Sequence, residues 1–548
     1  MAGGMSEDMW TDRPLGDILD DTTGMYPDRE AIVFRDQRIT YRQFQERVNT
    51  LAKGLMRRGV KKGDKVALWM SNQPEWLYTK FAIAKIGAVM VAINTWYRPY
   101  ELEYILTQSD TTAIVMMDRF LTNDFVGMLS ELCPGLGGSE PGKLDSEKFP
   151  MLQTIICHSD RTYDGVFDLK EIMTSGEAVP DGHLEKVQRS VAAGDVANLL
   201  YTSGTTAFPK GVQLSHINIG RNGFNIGNRL NFTEKDRLWL SLPLFFSFAC
   251  VNATLTTITH GGCIVLQESF DPGEALRLID REHCTVYYAM PNMSLMLLDH
   301  PDIRKTNTKS LRTGVTIGSS EIMTRVIEEL GPGELNNAYG LTETAAVSTI
   351  TSCNDPLDIR LHQVGKPLPG VEIKITDPAT GTDLSIGDEG EICIRGYNVT
   401  RGYYKKPQET SEAIDREGWF HTGDLGVLDE DGFLGFRGRI KDMLKSGGIN
   451  ISTLEVEAFL HRHPKVSEAH VVGVPDRIKD EVGLAFVALK EGETCTEKEI
   501  IDFCKGQIAS FKIPRYVLFG EDFPRTATGK VQKYKLKEVA VKALEKTS

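Results

Sequence analysis

What most limits the fold of this 548-residue chain is an alternation: short runs rich in Val, Ile, Leu, Ala and Tyr are separated by stretches with helical patterning. Such runs fall at 196–201, 285–290, 311–317, 335–339 and 391–394. Near-continuous apolar runs, rather than alternating ones, are what strands buried on both faces require, and strands interleaved with helices give an α/β architecture with a partly parallel sheet. A chain of this length holds several domains' worth of material.

The pattern changes toward the C-terminus. Residues 435–452, GFRGRIKDMLKSGGINIS, are basic and glycine-rich; 455–461 then reads as helix, and 469–474 and 484–489 as strands. The expectation is an α/β protein with a large, multi-subdomain N-terminal domain over 1–438 and a small, mobile α/β domain over 439–548. A glycine-punctuated, charged junction suits a hinge, because domain boundaries fall in exposed polar segments crossed by few contacts.

Composition excludes several classes. With 41% hydrophobic and 25% charged residues the chain is neither disordered nor fibrous. A net charge of −13 leaves no global positive field for nucleic acid or an anionic membrane, so an anionic ligand must be met by local donors. The longest apolar stretch, 81–93, is interrupted by Lys85 and falls well short of the ~20 residues of a spanning helix, so no integral membrane association is expected. No export or myristoylation signal is read at the N-terminus. The nine cysteines are odd in number and lack C-x-x-C spacing, which fits reduced core thiols and a cytoplasmic protein. The segment 134–148, PGLGGSEPGKLDSEK, reads as a surface loop; its LGGS is similar to a carrier-protein serine site but lacks the surrounding helical bundle.

The chemistry concentrates in LLYTSGTTAFPKGVQLSH, residues 199–216. A buried strand runs into Thr202, Ser203, Gly204, Thr205, Thr206 and Lys210: four hydroxyls, small-residue amides and one cation. Such a loop can wrap a polyphosphate, since hydroxyl and amide donors approach closely and lysine neutralises charge. It is not the Walker pattern, because the lysine is followed by Gly211 and not by a metal-binding hydroxyl.

This stretch resembles the phosphate-loop signature of the ANL superfamily of adenylate-forming enzymes, which holds acyl-CoA synthetases, peptide-synthetase adenylation domains and luciferases. Four more segments in the family's order strengthen the resemblance: YGLTE at 339–343, TGD at 422–424, GRIKD at 438–442 and PRTATGK at 524–530. The resemblance implies an adenylation domain followed by a mobile domain that rotates about Lys441. It implies ATP as substrate with Mg²⁺ on Glu343, Tyr339 and Gly340 beside the adenine, Gly318 and Ser319 in the same nucleotide site, and Thr342 at the α-phosphate. Asp424, Phe436 and Arg439 would hold the nucleoside. Lys530, with Thr202, Lys210 and Glu343, would serve adenylation, and Gly447 and Gly448 would line a thiol channel for CoA after rotation. Read singly these residues are ambiguous, since an Asp in a TGD turn is often only a structural cap.

One position departs from the family pattern: Ala207 stands where the signature has glycine. Glycine reaches positive φ at little cost and alanine does not, so the loop is expected to close differently over the phosphates.

For the acid, the segment 239–252, WLSLPLFFSFACVN, carries no carboxylate, whereas amino-acid-activating relatives usually place an Asp early in it. A buried α-ammonium would be left unpaired, so the acid is expected to be a non-amino one. Phe245, Phe246 and Ala249, with Gly314 and Ala345, are candidate walls of a pocket for a short or medium-chain, cyclic or aromatic acid, although the phenylalanines can equally be core. The reading is an AMP-forming acyl-CoA ligase using a small carboxylic acid, ATP and CoA, with no nucleic-acid partner. The competing readings are a freestanding adenylation enzyme loading a separate carrier protein and a non-catalytic nucleotide-binding protein. A homodimer is left open.

Overall fold

The computed structural model describes residues 12–202, 209–440, 443–446, 449–476, 480–505, 507–508, 512–525 and 531–545. The chain divides into two compact units, Met1–Ile373 with Ile394–Phe420, and Lys374–Cys393 with His421–Ser548.

The first unit is built on two seven-stranded sheets. One runs Glu334–Asn336, Thr313–Thr316, Val286–Ala289, Arg237–Leu240, Cys263–Leu266, Glu30–Phe34 and Gln37–Thr40, parallel except for the final hairpin. The other runs Lys210–Ser215, Val196–Thr202, Val89–Ala92, Lys65–Trp69, Thr111–Met117, Thr154–His158 and Phe167–Asp168, again parallel apart from its first pair. The central strands are buried throughout, as in Val89–Ala92 and Cys263–Leu266, which is why the sequence shows unbroken apolar runs there. The mixed α/β class expected from the alternation is the class observed.

The apolar stretch 81–93 resolves into the end of the buried helix Pro74–Lys85 and the strand Val89–Ala92. Its lysine is accommodated by a 2.5 Å ion pair to Asp20. Among the described residues no helix is long and apolar enough to cross a membrane. The segment 134–148 is a loop containing one short 3₁₀ turn, Leu136–Gly138, in which the LGGS motif sits.

Not every expected strand survives intact. The run 335–339 breaks at Asn337: Glu334–Asn336 joins the first large sheet, while Ala338–Tyr339 pairs with Thr349–Ile350 in a small antiparallel sheet. The cause is local. The Asn337 amide donates to Thr351 Oγ1 and its side-chain oxygen accepts from the Ala338 amide, each at 3.0 Å, which turns the chain out of the first sheet.

The second unit contains most of a four-stranded sheet ordered Val371–Thr376, Gly390–Gly396, Phe420–Leu428 and Leu434–Arg439. A second sheet is ordered Ile449–Ser452, Met443–Ser446, Asp480–Leu489 and Val466–Asp476, and Tyr516–Phe519 pairs with Asp480–Leu489. The expected helix appears as Thr453–Leu460. It packs with Glu497–Cys504 on one face through Leu444, Val471, Val487 and Ile500, whereas Lys533–Glu545 covers the other face through Val472, Leu484, Phe486 and Leu536.

Candidate active site

The phosphate-loop candidates begin and end on a paired element. Thr202 and Lys210 are cross-strand partners where Val196–Thr202 meets Lys210–Ser215, so the segment between them leaves and returns at one place on the sheet. Ser203, Gly204, Thr205, Thr206 and Ala207 lie outside the described residues.

A third segment, outside the five motifs, runs along this pair. Val212 and Tyr403 form an antiparallel bridge, and the Tyr404 amide donates to the Gly211 carbonyl at 2.8 Å. Gln108 donates to the Tyr404 carbonyl at 2.7 Å and accepts from the Tyr201 hydroxyl, while the Tyr404 hydroxyl donates to Asp110 at 2.8 Å. This frame carries Tyr403 to two predicted site residues. Its hydroxyl donates to Glu343 Oε1 at 3.0 Å, and its ring centroid lies 4.7 Å from the Lys210 ammonium. Burial, reinforced by the neighbouring carboxylate of Glu343, pushes the Tyr403 phenol far above its ordinary value, so it remains a hydrogen-bond donor at any working pH.

Glu343 is held from its backbone as well. It lies in the short turn Thr342–Thr344, and its carbonyl accepts from the Thr400 amide at 2.7 Å. The turn is bounded on one side by Gly340, where a Cβ would meet the Ala346 carbonyl oxygen at 2.5 Å. On the other side Ala345 and Ala346 both adopt left-handed backbone, with φ of 54° and 75°. Two successive non-glycine residues in that region store roughly 1–3 kcal/mol each, the kind of local strain found where a loop is held for function. Tyr339 ends its two-residue strand and is largely buried.

Glu343 has the chemistry expected of a magnesium ligand: a hard carboxylate whose position is fixed by a phenol donor, on the same tyrosine as the Lys210 cation. The residues present fit the ion.

The acyl-side segment meets this turn at a 3.2 Å hydrogen bond between the Ser247 and Thr342 hydroxyls. Ser247 stands just before a π-helical stretch, Phe248–Ala253, at whose start Ala249 is fully buried. Phe245 packs 4.5 Å from Phe246 and edge-on to Trp96 at 5.6 Å, and Trp96 is 37% exposed, so this aromatic group reaches from core to surface. Phe248 instead packs against Tyr288 at 5.4 Å, inside the core.

Two predicted residues have structural work of their own. Gly314 lies in the strand Thr313–Thr316 where a Cβ would stand 2.0 Å from the Tyr287 carbonyl oxygen, so strand packing demands glycine there. Ser319 caps the helix Ser320–Leu330, its hydroxyl accepting from the Ile322 amide at 3.4 Å, with Gly318 just before it.

In the second unit Asp424 and Arg439 are register partners of adjacent strands, and their side chains form a 3.4 Å ion pair in which Asp424 is buried and Arg439 half-exposed. Phe436 lies on the same strand as Arg439, opposite Gly426. The turn before Asp424 is braced: the Asp424 amide donates to Thr422 Oγ1 at 3.0 Å, Thr422 donates to the Ile392 carbonyl at 2.7 Å, and the Gly423 amide donates to Glu391 at 2.9 Å. Lys441, Gly447, Gly448 and Lys530 lie outside the described residues.

The family model described as AMP-binding enzyme matches residues 19–404, and that described as AMP-binding enzyme C-terminal domain matches 455–530. The chain is 42% identical over 539 residues to the putative acyl-CoA synthetase YngI of Bacillus subtilis, covering 97% of this chain and 98% of that protein. It is 38% identical to the mitochondrial medium-chain acyl-CoA ligase ACSF2 of Danio rerio, covering 99% and 90%. Among solved structures, the anthranilate CoA ligase AuaEII in complex with anthranoyl-AMP superposes with a TM-score of 0.84 at 27% identity, covering 99% of this chain and 100% of that one. The o-succinylbenzoate coenzyme A synthetase MenE of Bacillus subtilis in complex with AMP superposes with a TM-score of 0.78 at 28% identity, covering 96% and 98%. With the phosphate-loop strands, the braced Glu343 turn and the Asp424–Arg439 pair all in the family's order, the chain belongs to the AMP-binding enzyme family, among the acyl-CoA synthetases of the adenylate-forming superfamily.

Proposed function

We propose that this acyl-CoA synthetase activates medium-chain, non-amino carboxylic acids, with aromatic acids as its nearest alternatives, through an acyl-adenylate that is then transferred to CoA. The observation that carries the choice of acid is the Trp96–Phe245–Phe246 aromatic group, together with a segment 239–252 that holds no carboxylate. Such a wall suits a hydrocarbon tail or ring and offers an ammonium no partner, and burying an unpaired charge is costly. The full-length likeness to a medium-chain ligase supports the same reading.

In the first half-reaction an oxygen of the acid attacks the α-phosphorus of ATP and pyrophosphate leaves. Lys210 and the hydroxyls of the 202–206 loop would meet the phosphates, Thr342 would donate to the α-phosphate, and Lys530 would bridge the acid and the phosphate as negative charge builds up. Glu343, oriented by Tyr403, would hold Mg²⁺, which when bound neutralises charge on the leaving pyrophosphate. Asp424 would accept from the ribose hydroxyls with Arg439 beside it, and Tyr339 would lie along the adenine. In the second half-reaction the CoA thiol attacks the acyl carbon and AMP leaves; Lys441 would serve as the hinge and Gly447 and Gly448 would line the thiol's path in this step. The nine cysteines, all present as thiols rather than disulfides, support a reducing compartment such as the cytoplasm.

The test is a panel of acids assayed for AMP release with CoA or with a carrier protein as acceptor. Release that depends on CoA and is greatest with medium-chain acids is expected. Turnover that requires a carrier protein, or that is greatest with amino acids, overturns the reading.

A further inference from the structure

Three side chains outside the proposed substrate contacts converge in the second unit: Glu391 and Cys393 from the strand Gly390–Gly396, and His421 from the neighbouring strand Phe420–Leu428. Their ligand atoms all lie within 4.8 Å of one another. His421 Nδ1 is 2.9 Å from Glu391 Oε2 and 3.4 Å from Cys393 Sγ, so one ring nitrogen faces both partners. Cys393 is fully buried, and Thr376 Oγ1 stands 3.4 Å from its sulfur. His421 and Glu391 are partly exposed, with side chains 30% and 14% accessible, which leaves a path from solvent.

We propose that Glu391, Cys393 and His421 form a binding site for one zinc-class divalent ion. A tetrahedral ion with bonds of about 2.0 Å to nitrogen or oxygen and about 2.3 Å to sulfur sets neighbouring ligand atoms roughly 3.3–3.6 Å apart. The sulfur–nitrogen pair already has that spacing, and the nitrogen–oxygen pair reaches it by a small rotation of the carboxylate about its other oxygen, which accepts from the Gly423 amide at 2.9 Å. A thiolate, an imidazole and a carboxylate select zinc-class ions over magnesium or calcium, which take oxygen ligands. On binding, the Cys393 thiol loses its proton to solvent, the imidazole presents an unprotonated Nδ1, and the fourth position is left for water. Because Glu391 also holds Gly423, the ion would tie the turn that carries Asp424 to the neighbouring strand.

The test is a titration of chelator-treated, reduced full-length protein with Co²⁺, followed by absorbance and by the thermal midpoint. Both are readouts of binding, independent of acyl-CoA synthesis. One Co²⁺ per chain, a cysteinate-to-cobalt charge-transfer band, a raised thermal midpoint and displacement by Zn²⁺ but not Mg²⁺ are expected. Cys393→Ser should lose the band and bind at least ~10-fold more weakly, His421→Gln should weaken binding similarly, and Cys495→Ser should do neither. Absence of the band in the wild-type protein, or its persistence in Cys393→Ser, overturns the proposal.

Discussion

Tyr403 and Glu343, 60 residues apart, are joined by a hydrogen bond of 3.0 Å from phenol to carboxylate, and the same tyrosine ring lies against the Lys210 ammonium. The magnesium candidate and the candidate phosphate-binding lysine therefore share one positioning residue. Tyr403→Phe keeps the ring and removes the donor. A hydrogen bond to a charged group is worth about 1.5–3 kcal/mol, so kcat/KM for MgATP in acid-dependent pyrophosphate exchange should fall roughly 10- to 100-fold. Thioester formation from supplied acyl-AMP and CoA should change far less. Unchanged ATP kinetics would show that Glu343 needs no such brace.

Gly314 separates a packing role from a pocket role. The added methyl of Gly314→Ala would press on the Tyr287 carbonyl oxygen, 2.0 Å away, so the variant should lose stability by several kcal/mol, whatever acid is offered. Denaturant unfolding reads this directly. A Gly314→Ala protein of normal stability but altered acid preference would return the residue to the pocket wall.

The fold was legible wherever strands are buried on both faces. The run 285–290 became Val286–Ala289, buried throughout and parallel to both of its neighbours, because unbroken apolar character is what a central parallel strand requires. The break at Asn337 was not legible, since it depends on Thr351, 14 residues further on. In the candidate site, residues inside contiguous motifs could be proposed in advance. Tyr403 could not: it reaches Glu343 and Lys210 only because 400–404 lies along 210–213, a tertiary pairing with no local period, and the tandem tyrosines of RGYYKKP were the only hint. The Glu391–Cys393–His421 group escaped for the same reason, its histidine arriving from the adjacent strand.

Acid should destabilise the first unit through His216. Its ring is fully buried and its Nδ1 accepts from the Leu15 amide at 3.2 Å, a role that requires the neutral ring. Burial lowers its value from 6.5 to about 4. Below pH 6.5 the unfolded chain takes up a proton that the folded chain refuses, so stability present above 6.5 is lost as the pH falls toward 4, at up to about 1.4 kcal/mol per pH unit. His260, also lowered to about 4 by burial, adds a second such loss. Denaturant midpoints measured across this window should fall with pH, and more shallowly in His216→Gln. Equal slopes in the two proteins would remove His216 from the account.

Lys530 is expected to act only while the acid attacks phosphorus. Lys530→Ala should lower the adenylation rate by at least the roughly 10²–10³-fold typical of losing one transition-state donor, while spending supplied acyl-AMP with CoA at near the normal rate. Equal loss in both half-reactions would contradict a role confined to the first.

The central claim, that this chain is an AMP-forming ligase joining a medium-chain acid to CoA, is tested most directly by measuring all products of one reaction with octanoic acid, ATP and CoA. Equimolar AMP, pyrophosphate and octanoyl-CoA, with no sustained AMP release when CoA is omitted, is the predicted result. ADP and phosphate as products, or AMP formed without any thioester, would contradict it.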